Sequence, residues 1–156
     1  MIMKPKIRLK GCYGKWTETS LTQFASLYGG LTYSPSNVRL SGTLVLRSSN
    51  VQEGEISLKD NVFVDDNVVN SPNVEKGDII IVVRNGSRAL IGKHAQIKVL
   101  MPNTVIGAFM TGLKTTHPNF LNALLDTKRF DNEVSKNLGA TINQITNRMF
   151  SSMTFF

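Results

Sequence analysis

A chain of 156 residues, 41% hydrophobic and 19% charged, is long enough to bury one hydrophobic core and too short for two comfortable ones, and its balance excludes wholesale disorder. A net charge of +7 fits a domain that meets a polyanion, either nucleic acid or an anionic membrane surface, or one that carries excess lysine for solubility. No apolar run reaches the roughly eighteen residues of a spanning helix, the start MIMKPKIRLK lacks the apolar core of a signal peptide, and the single cysteine, Cys12, excludes an internal disulfide and a thiolate zinc cluster; the expected location is cytoplasmic.

Residues 1–15 carry Lys4, Lys6, Arg8, Lys10 and Lys15 with no acid and read as a basic arm ahead of a single domain, residues 16–156. TSLTQFASLY suits a strand or a short helix. Gly29-Gly30 reads as a turn in which glycine supplies positive φ, followed by a polar loop that Pro35 interrupts. In GTLVLRSSNVQEGEISL two strands are expected, Thr43 to Arg47 and Glu55 to Leu58, around turn chemistry at Asn50 to Gly54. DNVFVDDNV adds a short strand with acidic flanks. The continuous apolar run Ile79 to Val83 predicts a strand buried on both faces. Asn85-Gly86 then makes a turn, and Ala89 to Ile91 with His94 to Leu100 completes a hairpin with Gly92 at a bulge. NTVIGAFMTGLK reads as one more strand.

After Pro118 the period becomes helical. Phe120, Leu121, Leu124 and Leu125 share a face, Pro118 suits the first turn, and Lys128 with Arg129 suits the C-terminal end of the helix dipole. A second helix is expected over Asp131 to Leu138, stopping at Gly139, and the chain then closes on a polar knot and a strand-like apolar end. The expected fold is α+β: a twisted, partly barrel-like mixed β-sheet with short helices mainly toward the C-terminal end.

The sequence carries no credible catalytic constellation. A P-loop needs four residues between its glycines and a hydroxyl after its lysine, but Gly86 and Gly92 enclose five and Lys93 precedes His94. Metal-dependent nucleases need clustered carboxylates, whereas Glu53, Glu55, Asp65 and Asp66 are scattered through a turn and a strand end. His94 and His117 lie in no metal-ligand spacing. No nucleophile elbow occurs, nor do the glycine-rich loop and the Asn/Asp-Pro-Pro-aromatic loop of a DNA methyltransferase. What remains are donor-rich knots between apolar runs: Tyr33 and Ser34 in TYSP; Arg47, Ser48, Ser49 and Asn50 in RSSN; Arg84, Asn85, Ser87 and Arg88 in RNGSR, with Lys93 nearby; and Thr141, Asn143 and Gln144 in TINQ. Each alone is ordinary turn chemistry. Together, on a basic chain, they suit phosphate oxygens and base edges.

PKIRLKG followed by W and L, then GGLTYSP, GTLVLRSSNVQEGEISL, KGDIIIVVRNGSRALIGKHA, FLNALLDTKRF and NLGATINQIT form an ordered set that resembles one target recognition domain of a type I restriction-modification specificity (S) subunit. The resemblance runs from about Pro5 to Phe156. It implies a non-catalytic component that binds double-stranded DNA and reads half of a bipartite target. Adenine-methyltransferase (M) and restriction (R) subunits, and a second S domain, are the implied protein partners; no membrane is involved. S-adenosylmethionine, ATP and Mg are expected only in those partner subunits, with no cofactor in this chain. In the family the stretch resembling RMFSSMTFF leads into a long spacer helix, which is expected to be absent here and leaves a protein-interaction fragment as the alternative reading. Because strings shared by members with different targets build scaffold or grip phosphate, base readers are also expected in Asn103 to His117 or Asn61 to Asn73.

Overall fold

A strand with no polar face needs cover on both sides, and this sets the architecture around Ile79–Val82. The computed structural model describes residues 10–11, 13–138 and 143–155; Lys4, Lys6 and Arg8 of the basic arm, Cys12, Gly139 and Thr141 lie outside them. The elements in chain order are β1 (Thr19–Ser20), α1 (Leu21–Phe24), β2 (Ser26–Gly29), β3 (Val38–Arg39), β4 (Thr43–Leu46), β5 (Val51–Gln52), β6 (Glu55–Ile56), β7 (Val62–Val64), β8 (Ile79–Val82), β9 (His94–Gln96), β10 (Thr104–Ile106), β11 (Met110–Lys114), α2 (Pro118–Leu125), α3 (Lys128–Asn137), α4 (Asn147–Ser152) and β12 (Thr154–Phe155).

Strand β8 sits inside an antiparallel sheet ordered β2-β11-β8-β9, beside a mixed sheet ordered β10-β4-β7-β3 in which β10 and β4 run parallel. Alternation of side chains along β8 divides its burial. Ile79, Ile81 and Val83 pack with Leu121, Leu125, Phe130 and Phe150 of the helices, while Ile80 and Val82 pack with Leu44, Leu46 and Ile106 of the mixed sheet. Val45, Val64 and Val105 on the far side of that sheet gather under Leu31. The α+β expectation holds, with the longer helices toward the C-terminal end, and neither sheet closes into a full barrel.

Several local expectations change. NTVIGAFMTGLK is two strands in two sheets, β10 and β11, parted at Gly107. Lys128 and Arg129 open α3 rather than ending α2, because the Thr127 hydroxyl caps the new helix by accepting the Phe130 N–H. A helix, α4, precedes the apolar end, capped by Thr146. Gly30 lacks positive φ. It is required instead by a close approach, since a Cβ there would lie 2.2 Å from the Gly107 carbonyl oxygen. Ala89 to Ile91 is not strand: Ala89 and Leu90 belong to a 3-10 turn, Arg88–Leu90, and Ile91 closes it. The Gly92 bulge is present: Val82 donates to the Lys93 carbonyl and accepts from the Gly92 N–H, with Gly92 at φ 90.

A partly buried polar cluster centred on Asp78 ties the central sheet together. The Tyr28 hydroxyl donates to Asp78 Oδ2 at 2.7 Å, and Lys114 Nζ lies 3.2 Å from the same oxygen and 3.0 Å from Glu75 Oε1. Burial first, and the Asp78 hydrogen bond next, push the Tyr28 hydroxyl well above its ordinary 10.0. The folded chain therefore holds this proton more tightly than the unfolded one. Its contribution to stability is complete below the unfolded value and is lost as pH rises beyond it. Thermal unfolding from about pH 8 to about pH 11 is expected to show a fall in Tm that is shallower in Tyr28→Phe, which has no proton to lose; equal slopes would assign the alkaline loss to other groups.

Candidate nucleic-acid interface

Past the end of β4 the chain turns sharply through a 3-10 turn at Ser48–Asn50. Asn50 is fully buried, and its amide is the bracket of this loop. Its Oδ1 accepts the Arg47 N–H at 2.9 Å, and its Nδ2 donates to the carbonyls of Ser57 and Asp60 at 2.9 and 3.2 Å. The amide is thus fully engaged within the loop and out of solvent, the position of a scaffold side chain. Arg47 is half-exposed and pairs with Asp60 at 2.9 Å.

The RNGSR knot meets this loop directly. Asn85 Oδ1 accepts the Ser87 N–H at 2.9 Å, which makes the turn, and its Nδ2 donates to Ser48 Oγ at 3.2 Å. Gly86 does not take positive φ, so the turn falls where Asn-Gly predicts it but is built from a side-chain hydrogen bond and not from glycine geometry. The third knot joins from the far end of the chain: Asn143 Nδ2 donates to the Gly86 carbonyl at 3.3 Å, Gln144 bridges Arg84, and the Ile145 N–H donates to Val83 at 2.8 Å. Three stretches far apart in sequence thus share one end of the antiparallel sheet.

Beside them opens a groove of about 660 Å³, with Leu31, Tyr33, Pro35, Val38, Val62 and Phe109 as its apolar lining and Arg47, Ser48, Ser49 and Asp60 along one wall. Arg47 Nε and Ser49 Oγ are buried there without a hydrogen-bond partner. Phe109 is 54% exposed, and the Arg84 guanidinium lies over its ring, 5.1 Å from the centroid. The remaining candidates stand apart from the groove. Exposed Ser34 bonds Ser36 and Asn37 within its own turn, Arg88 donates to the Leu138 carbonyl at 2.7 Å, and Lys93 is exposed just before β9. Thr141 lies outside the described residues. Phe109 was missed as a residue because AFM reads as strand interior, although it falls within the flagged 103–117 stretch.

The acidic pair that follows β7 takes structural partners. Asp65 accepts from the Asn67 backbone and from Arg39, and Asp66 from Thr43 and Asn103, which hold both carboxyls below the usual range. Among the described residues no three His, Cys, Asp or Glu side chains come together as a metal site, and no helix is long and apolar enough to cross a membrane.

No protein-family model matches the chain. Over 139 residues it is 29% identical to the type I restriction enzyme StySPI specificity subunit of Salmonella potsdam and 27% identical to the type I restriction enzyme EcoKI specificity subunit of Escherichia coli K12. The chain is homologous to type I restriction enzyme specificity subunits. These matches take in 83% of the chain and 30% of each relative, so this specificity-subunit homologue spans well under half of the proteins it resembles. Its fold agrees. A chain from a structure described as the basis of complex assembly and conformational transition of the type I R-M system superposes with a TM-score of 0.69 at 16% identity, covering 99% of this chain and 36% of that one. The S subunit of M. genitalium gives 0.61 over 97% of this chain and 36% of that one, and the HsdS subunit of Thermoanaerobacter tengcongensis 0.62 over 96% and 34%, each at 16% identity.

Proposed function

We propose that the chain is a DNA target recognition domain of a type I restriction-modification specificity subunit, reading one half of a bipartite duplex target and doing no chemistry itself. The observation that carries this reading is the convergence of Arg47–Ser49, Arg84–Asn85 and Asn143–Gln144 at one end of the sheet. Arginine, amide and hydroxyl groups are the side chains that read base edges and bind phosphate oxygens, and the net charge of +7 supplies attraction to the duplex. Methyltransferase and restriction subunits would act at the site so chosen, with S-adenosylmethionine, ATP and Mg held by them.

The test is selection from a randomised duplex library, followed by fluorescence anisotropy on the enriched sequence and a scrambled one at two salt concentrations. Enrichment of a short motif is expected; no enrichment and no salt-dependent binding would overturn the reading. Lys93→Ala, which removes an exposed cation on the hairpin carrying the Arg84 knot, is expected to weaken both duplexes alike and to lower the salt slope by about one.

A further inference from the structure

We infer that Arg84 reads a base in this site, taking a guanine edge in the major groove, and that Phe109 is its positioning residue; the inference rests on the DNA-recognition reading above. Three other arginines are already engaged by the protein: Arg39 pairs with Asp65 at 3.1 Å, Arg47 with Asp60 at 2.9 Å, and Arg88 donates to the Leu138 carbonyl. Arg84 is exposed and has no carboxylate partner among the described residues. Its guanidinium rests instead on the face of Phe109. An aromatic face attracts the cation without consuming its N–H donors, so the planar fork remains free.

The backbone beneath that fork is fixed by other segments. The N–H groups of Val83 and Arg84 both donate to the Phe109 carbonyl, at 3.0 and 3.2 Å, Gln144 bridges Arg84, and Asn85 is tied to Ser48. A fork held in one place selects a partner with two acceptors in a plane, and guanine O6 and N7 are the commonest such pair in DNA. A bidentate phosphate offers similar acceptors. The neighbouring side chains favour the base, because Asn85, Asn143 and Gln144 are neutral amides that add no charge for a phosphate; Asn85 and Asn143 are engaged within the loops, and Gln144 is of the type that reads base edges.

Duplex selection with the whole chain is expected to enrich a guanine at one position. Arg84→Lys, which keeps the charge but loses the fork, should retain affinity for mixed-sequence DNA and its salt dependence while preference for that guanine falls about tenfold or more. Replacing that guanine by 7-deazaguanine, which removes N7, should weaken the unsubstituted chain and leave Arg84→Ala unaffected. Phe109→Leu preserves an apolar side chain in the groove, so a selective, several-fold loss of guanine preference at unchanged mixed-sequence affinity is the signature of positioning. Retained preference in Arg84→Lys, or equal weakening of every sequence by Arg84→Ala, overturns the inference and leaves the functional reading standing. No sequence preference in the unsubstituted chain overturns both.

Discussion

Gly30→Ala is expected to lower the unfolding free energy by about 3 kcal/mol and to abolish selective DNA binding, while Gly29→Ala, one residue earlier, stays within about 0.5 kcal/mol of the unsubstituted chain. A Cβ on Gly30 would sit 2.2 Å from the Gly107 oxygen and 2.5 Å from the Ile106 oxygen, whereas one on Gly29 meets nothing within 4 Å. The obstacle at Gly30 is backbone, which cannot rotate aside. Its position couples stability to the site: Leu31 donates to Ile106 at 2.7 Å and accepts from Ala108 at 2.9 Å, so separating the strands displaces Leu31, Tyr33 and Phe109 along the groove. Urea unfolding of both variants decides the matter. Equal midpoints for the two would show that these backbones part freely and that the groove does not depend on their contact.

Much of the sheet was legible because burial constrains composition. The apolar run Ile79 to Val83 fits a strand covered on both faces, and Ile79–Val82 is one; Val62–Val64 and Thr43–Leu46 fell where β-branched residues placed them. Boundaries failed where a tertiary contact decided them. Gly107 parts β10 from β11 because one strand joins β4 and the other β8, and no local pattern within IGAFM records that change of partner. Helix α4 is short and rich in Phe, Met and Ser, so its propensity is ambiguous; the cap at Thr146 carried the usable signal.

The candidate site was legible as a set of residue types and not as a geometry. Sequence order separated RSSN, RNGS and INQ, and only the fold shows Asn85 bonded to Ser48 and Asn143 bonded to Gly86. The family likeness of the RNGS string suggested scaffold or phosphate grip. The structure divides it: Asn85 holds the loop, whereas Arg84 leaves its charged fork toward solvent over Phe109. Side chains of one string thus serve different ends because one faces the protein and the other does not.

Asn50 shows the same division from the opposite side and gives a second large effect. Asn50→Ala is expected to lower stability by about 3 kcal/mol, because it strands the Arg47 N–H and the Ser57 carbonyl, each worth about 1 to 3 kcal/mol when buried without a partner, whereas the exposed Asp60 carbonyl keeps the Arg47 guanidinium at 3.4 Å. Asn50→Asp should be at least as damaging, since it keeps the acceptor for Arg47 but replaces two donated hydrogen bonds by a buried charge facing two carbonyl oxygens. Because the Asn50 amide lies inside the loop, base preference measured on the folded fraction at low temperature should be unchanged in both. An adenine-reading Asn50 would behave oppositely, with Tm preserved and preference lost at one position. Thermal unfolding and duplex selection on the same two variants separate these roles, and preserved Tm with relaxed selection would return Asn50 to the interface.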